Sequence, residues 1–417
     1  MNANANADGD APFSRYQIFL IAILSFLQFT VTLDFMILYP LGIEVMPQLK
    51  ISPAQFGFVV SAYAFSAGIS GLLAAGFLDR FDRKKILLFF YVGFIVGTAL
   101  CAMANSYYLL LFARIMTGLF GGVIASVVFA IITDLFPFQM RGRVVGYVQT
   151  AFSATQILGY PIGLFFVNLH EWRAAFIAIV AVSIPAGILI LWKLKPVNEH
   201  LKLITDKNSF KQIYVNLTIP KYLLAFAGTA LLSIGGYMLT PLGGVFTVNN
   251  LEISVKKLHI IYLVGGIFSF FIGPMVGQIC GLFGKIQTII FGTVVLIIGV
   301  IYFVNLEKPS LFTVIVGHSM IFMGIIYRLI PAQVLISAVP EQNHRGSFMA
   351  VNSSIQQIAG GIAAATSGMI ITQNAQGVLK NYDTVGYVVA VMSVVSLISL
   401  IFVNKIITRA KPATVAT

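Results

Sequence analysis

Two ionisable residues stand deep inside long apolar stretches of this 417-residue chain: Asp34, between Gln17 and Leu41, and Arg114, between Tyr107 and Thr133. Asp34 is the only carboxylate well inside any such stretch. A charge in an apolar medium is costly unless it is paired or neutralised. Both residues lie seven positions from the same end of their stretches, about 10 Å at the rise of a helix, so an Asp34–Arg114 pair is geometrically allowed. The protonation of such an acid depends on the balance between its burial and its cation, and that balance shifts with solvent access or a bound ligand. This is the chemistry of a group that picks up and releases a proton. The same two residues also read as a fixed tie between helices.

His318 and Arg328 share a later apolar stretch. His318 is suited to proton exchange near neutral pH, or to packing as a neutral ring. Arg328 has no membrane acid in its own half, so it reads as facing an anionic or carbonyl-bearing ligand, or as reaching toward the surface. Gln149 and Gln156 fall on one helical face near Phe152, and Asn352 and Gln356 are likewise in step. These stripes suit a shared cavity, with Phe35 beside Asp34, or hydrogen bonding between helices.

The elements that must position these residues follow from composition. Hydrophobic residues make up 58 % of the chain and charged residues 10 %, whereas a soluble domain carries roughly a quarter charged residues. The bilayer is therefore the expected solvent. The net charge of +12 does not point to nucleic acid, because the basic residues lie between apolar runs without interleaved stacking aromatics. Cys101 and Cys280 both sit in apolar runs and the five histidines are scattered, so neither a disulfide framework nor a metal site is expected.

Twelve stretches near the ~20 residues a bilayer requires are expected as helices, with cores at 17–41, 56–78, 86–104, 107–133, 144–168, 174–194, 222–248, 258–280, 286–305, 310–338, 347–372 and 385–404. The long polar interruption divides them six and six: a tail 1–16, a bundle 17–195, a linker 196–221, a second bundle 222–408 and a tail 409–417. Eighteen basic residues fall on the side of the termini and linker, six on the other side and two within the membrane. Both termini are thus expected to be cytoplasmic. The halves echo one another: Tyr39-Pro40-Leu41-Gly42 recurs as Thr240-Pro241-Leu242-Gly243, Phe81 to Arg83 as Phe283-Gly284-Lys285, and Arg141-Gly142 as Arg345-Gly346, at offsets of 201, 202 and 204. The expected fold is an all-α polytopic membrane protein of twelve helices in two pseudo-symmetric six-helix bundles.

Ala75-Gly76-Phe77-Leu78-Asp79-Arg80-Phe81-Asp82-Arg83-Lys84-Lys85 resembles the loop motif of the major facilitator superfamily, with Ala75 and Asp82 where glycines are usual. Arg114 to Gly118, Leu33-Asp34-Phe35 with Pro40, and Gly159-Tyr160-Pro161-Ile162-Gly163 are similar to motifs of its drug:proton antiporters and arabinose-efflux-like exporters. The resemblance implies that Asp79, Arg80, Arg83, Lys84, Asp134 and Arg141 form a conformational gate. In it, Asp79 meets the start of helix 11 and the basic residues meet the end of helix 4. The basic residues from Arg80 to Lys85 have an alternative reading as a positive-inside topology signal.

The expected activity is proton-coupled antiport that exports small amphipathic or drug-like molecules by alternating access. Asp34, Arg114 and His318 would serve coupling, and Phe35, Gln149, Phe152, Gln156, Arg328, Asn352 and Gln356 the substrate cavity. Carriage of a polar metabolite such as a sugar is the alternative, and a channel or membrane-embedded enzyme a remote one, since no nucleophile, base or metal cluster is apparent. No phosphate-binding GxxxxGK[ST] loop occurs. The expectation is therefore a monomer without cofactor, driven by a proton gradient, in a bacterial inner membrane, whose partners are substrate, protons and lipid.

Overall fold

The computed structural model describes residues 12–74, 76–159, 161, 171–199, 201, 209–341 and 345–410. The expected end of helix 5, most of both tails and the side chains of Asp79, Phe152 and Gln156 lie outside the described residues. The first half contains α1 (Arg15–Leu49), α2 (Pro53–Ala74), α3 (Arg83–Ala102), α4 (Tyr107–Leu135), α5 (Phe138–Ala154, continued by a π turn Thr155–Gly159) and α6 (Arg173–Lys193). A short helix α7 (Ser209–Asn216) lies in the expected linker. Then come α8 (Pro220–Tyr237), α9 (Thr240–Asn249), α10 (Val255–Phe283), α11 (Lys285–Val304), α12 (Leu311–Ser337), α13 (Arg345–Ile370) and α14 (Tyr382–Ala410).

Among the described residues, ten stretches are long and apolar enough to cross a membrane, with α8 and α9 counted together. The other two of the expected twelve positions hold α5 and α13, the polar members: Gln139, Arg141, Arg143 and Gln149 on one, Asn352, Ser353, Gln356 and Gln357 on the other. Several helices begin where a side chain satisfies free backbone N–H groups. Ser14 and Gln17 form a reciprocal capping box on α1, and Ser106 and Ser310 cap α4 and α12.

Prolines explain two departures from expectation. Pro40 does not stop α1, which runs past 41 to Leu49, because a buried helix can tolerate one lost backbone bond when its neighbours hold it. Its counterpart Pro241 follows Gly235-Gly236, which lower helix propensity, and here the expected single helix 222–248 breaks into α8 and α9 at Met238–Leu239.

The packing repeats between halves. α3 packs on α4 and α6 as α11 packs on α12 and α14, and α2 packs on α4 as α10 packs on α12. The halves meet through α2 against α13, α1 against α9, and the π turn against α10. A two-stranded antiparallel hairpin, Thr372–Gln373 with Leu379–Lys380, is an addition to the all-helical expectation. Asn250 both donates to the Leu379 carbonyl and accepts from the Leu379 N–H, at 2.8 and 2.9 Å, and Asn249 donates to the Gly377 carbonyl.

The α2–α13 seam is close because it lacks side chains. A Cβ on Gly57 would lie 2.8 Å from the Ala364 carbonyl oxygen and 3.1 Å from Gly368 Cα, backbone atoms that cannot rotate aside. Nearby, Gly42 fits against Phe56 and buried Val245. Gly57→Leu is expected to pry α2 from α13 at this end. In a background lacking Cys101 and Cys280, labelling of Val245→Cys by an impermeant maleimide should then accelerate severalfold, and an unchanged rate would refute the account.

Candidate functional site

The centre of the molecule holds a completely buried ion pair. Asp34 on α1 accepts from Arg114 Nη1 on α4 at 2.8 Å, and both side chains have 0 % exposure. The Thr98 hydroxyl lies 3.1 Å from the other carboxylate oxygen. Arg114 also donates to the carbonyls of Asp34 and Phe35, at 3.1 and 3.5 Å, and its guanidinium stacks 4.6 Å from the Tyr63 ring centre. Charge, hydrogen bonds and an aromatic face together offset the desolvation of two ions. Thr117, the motif position after Arg114, turns its hydroxyl back onto its own helix.

Phe35 connects this pair to a cavity. Its ring lies 5.0 Å from Tyr63, 5.7 Å from Tyr39 and 6.4 Å from Tyr237. Tyr39 and Tyr237 line a mostly apolar cavity together with Met36, Leu232, Phe322 and Leu329, among others. Arg328 and Gln356 line it as well. Asn352 instead is buried and accepts from Thr229 at 2.6 Å, joining α13 to α8. Gln149 is exposed and does not line this cavity; its spacing with Gln156 defines a face of α5 without saying which way that face points. His318 is enclosed by the rings of Tyr262, Phe303 and Phe322 in the second bundle, so its aromatic contacts differ from those of the Asp34–Arg114 pair. Sequence reasoning passed over Tyr39 and Thr240 as cavity residues, although the internal repeat aligns them and both line the cavity.

At the α2–α3 turn, Arg83 Nε bonds Asp134 at the end of α4 at 3.0 Å, and its Nη1 donates to the Leu78 carbonyl at 2.9 Å. Asp82, where the motif has glycine, has φ −59°, a conformation open to any residue, and its carboxylate accepts from the N–H groups of Lys84 and Val197. It caps α3 and fastens the start of the linker. Two expected gate residues cap helices within the first bundle. Lys84 reaches the Leu191 carbonyl near the end of α6, and Arg141 reaches the carbonyls of Thr133 and Phe136 at the end of α4, where cations are favoured. Arg80 is exposed beside a groove with Phe77, Phe81 and Lys85.

The sequence matches the family model described as Major Facilitator Superfamily over residues 24–364. The chain belongs to this superfamily. This major facilitator protein is 26 % identical to the uncharacterized MFS-type transporter YceJ of Bacillus subtilis, over 82 % of this chain and 86 % of that one. It is 23 % identical to Multidrug resistance protein 2 of the same organism, over 80 % and 84 %. Among solved structures, a bacterial homologue of the human lysosomal transporter Spinster, inward-facing and unoccupied, matches with TM-score 0.73 at 16 % identity, covering 96 % of this chain and 100 % of the other. A D-xylose-proton symporter matches with TM-score 0.75 at 17 % identity, covering 93 % and 97 %. These likenesses are of fold. As a superfamily member, the protein is a multi-pass membrane transporter.

Because the pair is wholly buried, removing one partner strands the other. Asp34→Leu is expected to lower stability by about 3–5 kcal/mol. Asp34→Leu combined with Arg114→Leu should recover most of that loss. Denaturant titration in detergent measures both, and additive losses would contradict the coupling.

Proposed function

We propose that this transporter is a proton-coupled antiporter that exports small amphipathic molecules by alternating rocking of its two bundles. The observation that supports it most is the position of Asp34: buried, paired to Arg114, and linked through Phe35 to the aromatic wall of the cavity. In this reading a proton on Asp34 neutralises the carboxylate and releases the charge of Arg114 to the Phe35 and Asp34 carbonyls and the Tyr63 face. That change in the hold between α1 and α4 reaches the cavity through Phe35. Substrate binding and protonation then bias the same two-state packing in opposite directions, which is the requirement for exchange.

The cavity lining favours an amphipathic substrate over a sugar, since Met36, Leu232, Phe322, Ile325 and Leu329 offer dispersion contacts and few convergent donors. Multidrug resistance proteins among the relatives fit this reading. Arg83 with Asp134 forms the proposed gate at the end of α2, with Asp79 and Arg80 beside it; His318 is assigned a packing role. The proposed setting is a bacterial inner membrane with both termini cytoplasmic. The protein acts as a monomer without cofactor, powered by the proton gradient.

In liposomes holding a pH gradient, adding a transported amphipathic compound should trigger proton flux, followed by a lumenal pH dye. Asp34→Asn should abolish that flux. Equal substrate movement in both proteins without proton flux would make the protein a facilitator and Asp34 a structural partner of Arg114.

A further inference from the structure

The second bundle buries a cation that its own side chains leave without a counter-charge. Arg328 on α12 is 1 % exposed and lines the cavity. Its Nη1 and Nη2 donate to Ser393 and Ser396 of α14 at 3.0 and 2.7 Å, and Nε has no hydrogen-bond partner. Both partners are neutral hydroxyls, whereas a guanidinium has five N–H donors and a full charge. Among the described residues no carboxylate contacts it. Glu252 pairs with Lys308 and Glu341 with Lys221, while Glu307 lies in the α11–α12 connection and Asp383 in the first turn of α14. The remaining deep acid, Asp34, is committed to Arg114.

The internal repeat sets a glycine of the second bundle where the first has its deep acid. The offset of 201 that aligns Pro40 with Pro241 sets Gly235 opposite Asp34. A Cβ built on Gly235 would meet Ser393 Oγ at 3.3 Å and Arg328 Nη1 at 3.6 Å, whereas one on neighbouring Gly236, a cavity residue, would meet nothing within 4 Å. The first bundle thus supplies a carboxylate to its buried arginine, whereas the second sets a glycine and the Ser393 hydroxyl beside its own, with open space at Gly236.

We propose that Arg328 is the centre of an anion-binding subsite and that the substrates are amphipathic monoanions, a carboxylate on an apolar body. This rests on the cavity being the substrate site. The carboxylate engages the planar guanidinium, a geometry arginine suits better than lysine, from the cavity space beside Gly236. The apolar body lies against Leu232, Phe322, Ile325 and Leu329. A cationic substrate would meet Arg328 with no described acid in the cavity lining to compensate, so the site selects against cations.

The test uses three probes of matched shape, 2-naphthylacetate, 2-naphthylacetamide and 2-(2-naphthyl)ethylamine, with affinities measured by calorimetry on the full chain in detergent. The acetate should bind at least about tenfold more tightly than the amide, the scale of one charge-assisted hydrogen bond, and the amine most weakly. Arg328→Gln should bring the acetate to the level of the amide, weakening the acetate far more than the amide, and Arg328→Lys should retain part of the preference. A merely structural arginine would not move the charge preference. Tightest binding of the amine, or an acetate preference that survives in Arg328→Gln, overturns the inference while leaving the cavity assignment intact. Failure of all three probes to bind the wild-type protein overturns the cavity assignment and the inference with it.

Discussion

A charge inside hydrocarbon must be held by something, and the arrangement of the first bundle follows from how Asp34 is held. The pair fixes α1 against α4 at one depth, Thr98 brings α3 to the same point, and Tyr63 brings α2. Four helices therefore share one electrostatic centre. Apolar surface cannot impose such registration in a membrane, where lipid and leucine are equivalent solvents. The large buried cluster that surrounds this centre fills space around a geometry that polar contacts have already chosen.

The two halves share a packing plan and differ in chemistry. The first bundle closes its charge internally, while the second holds Arg328 with serines and breaks its leading helix beside the cavity. Between them, glycines at Gly57, Gly68 and Gly368 bring α2 and α13 to backbone contact. The ion pairs Asp34–Arg114 and Arg83–Asp134 lie within one bundle, whereas the α2–α13 seam is made of close van der Waals contacts, with Ile358 set against Gly68 and Phe65 against Gly361. That distribution permits the bundles to move as units.

What the sequence revealed was the expensive part. Asp34 and Arg114 are legible because a charge in an apolar run is rare and needs a partner, and their depth follows from counting residues. The loop motif likewise points Arg83 toward Asp134. Thr98, Ser393 and Ser396 were not legible, since membrane serines and threonines mostly bond their own helix and nothing in one sequence marks those that reach across. Gln149 shows the limit of spacing: two residues on one face are readable, but which neighbour that face meets depends on the whole bundle. Pro40 and Pro241 occupy equivalent repeat positions with opposite outcomes, because the flanking glycines of the second decide whether the backbone can absorb the lost bond.

The break at Met238–Leu239 has a mechanical meaning when read with the asparagines at the far end of α9. Asn249 and Asn250 clamp the α13–α14 hairpin through three hydrogen bonds, and Tyr382 at the start of α14 donates to the Leu239 carbonyl at 3.0 Å beside the break. The short helix and the hairpin thus constitute a lever whose fulcrum lies next to the cavity. In the proposed transport cycle, a small tilt at Tyr237 or Thr240, both of which line the cavity, would be carried along α9 to the hairpin about 15 Å away.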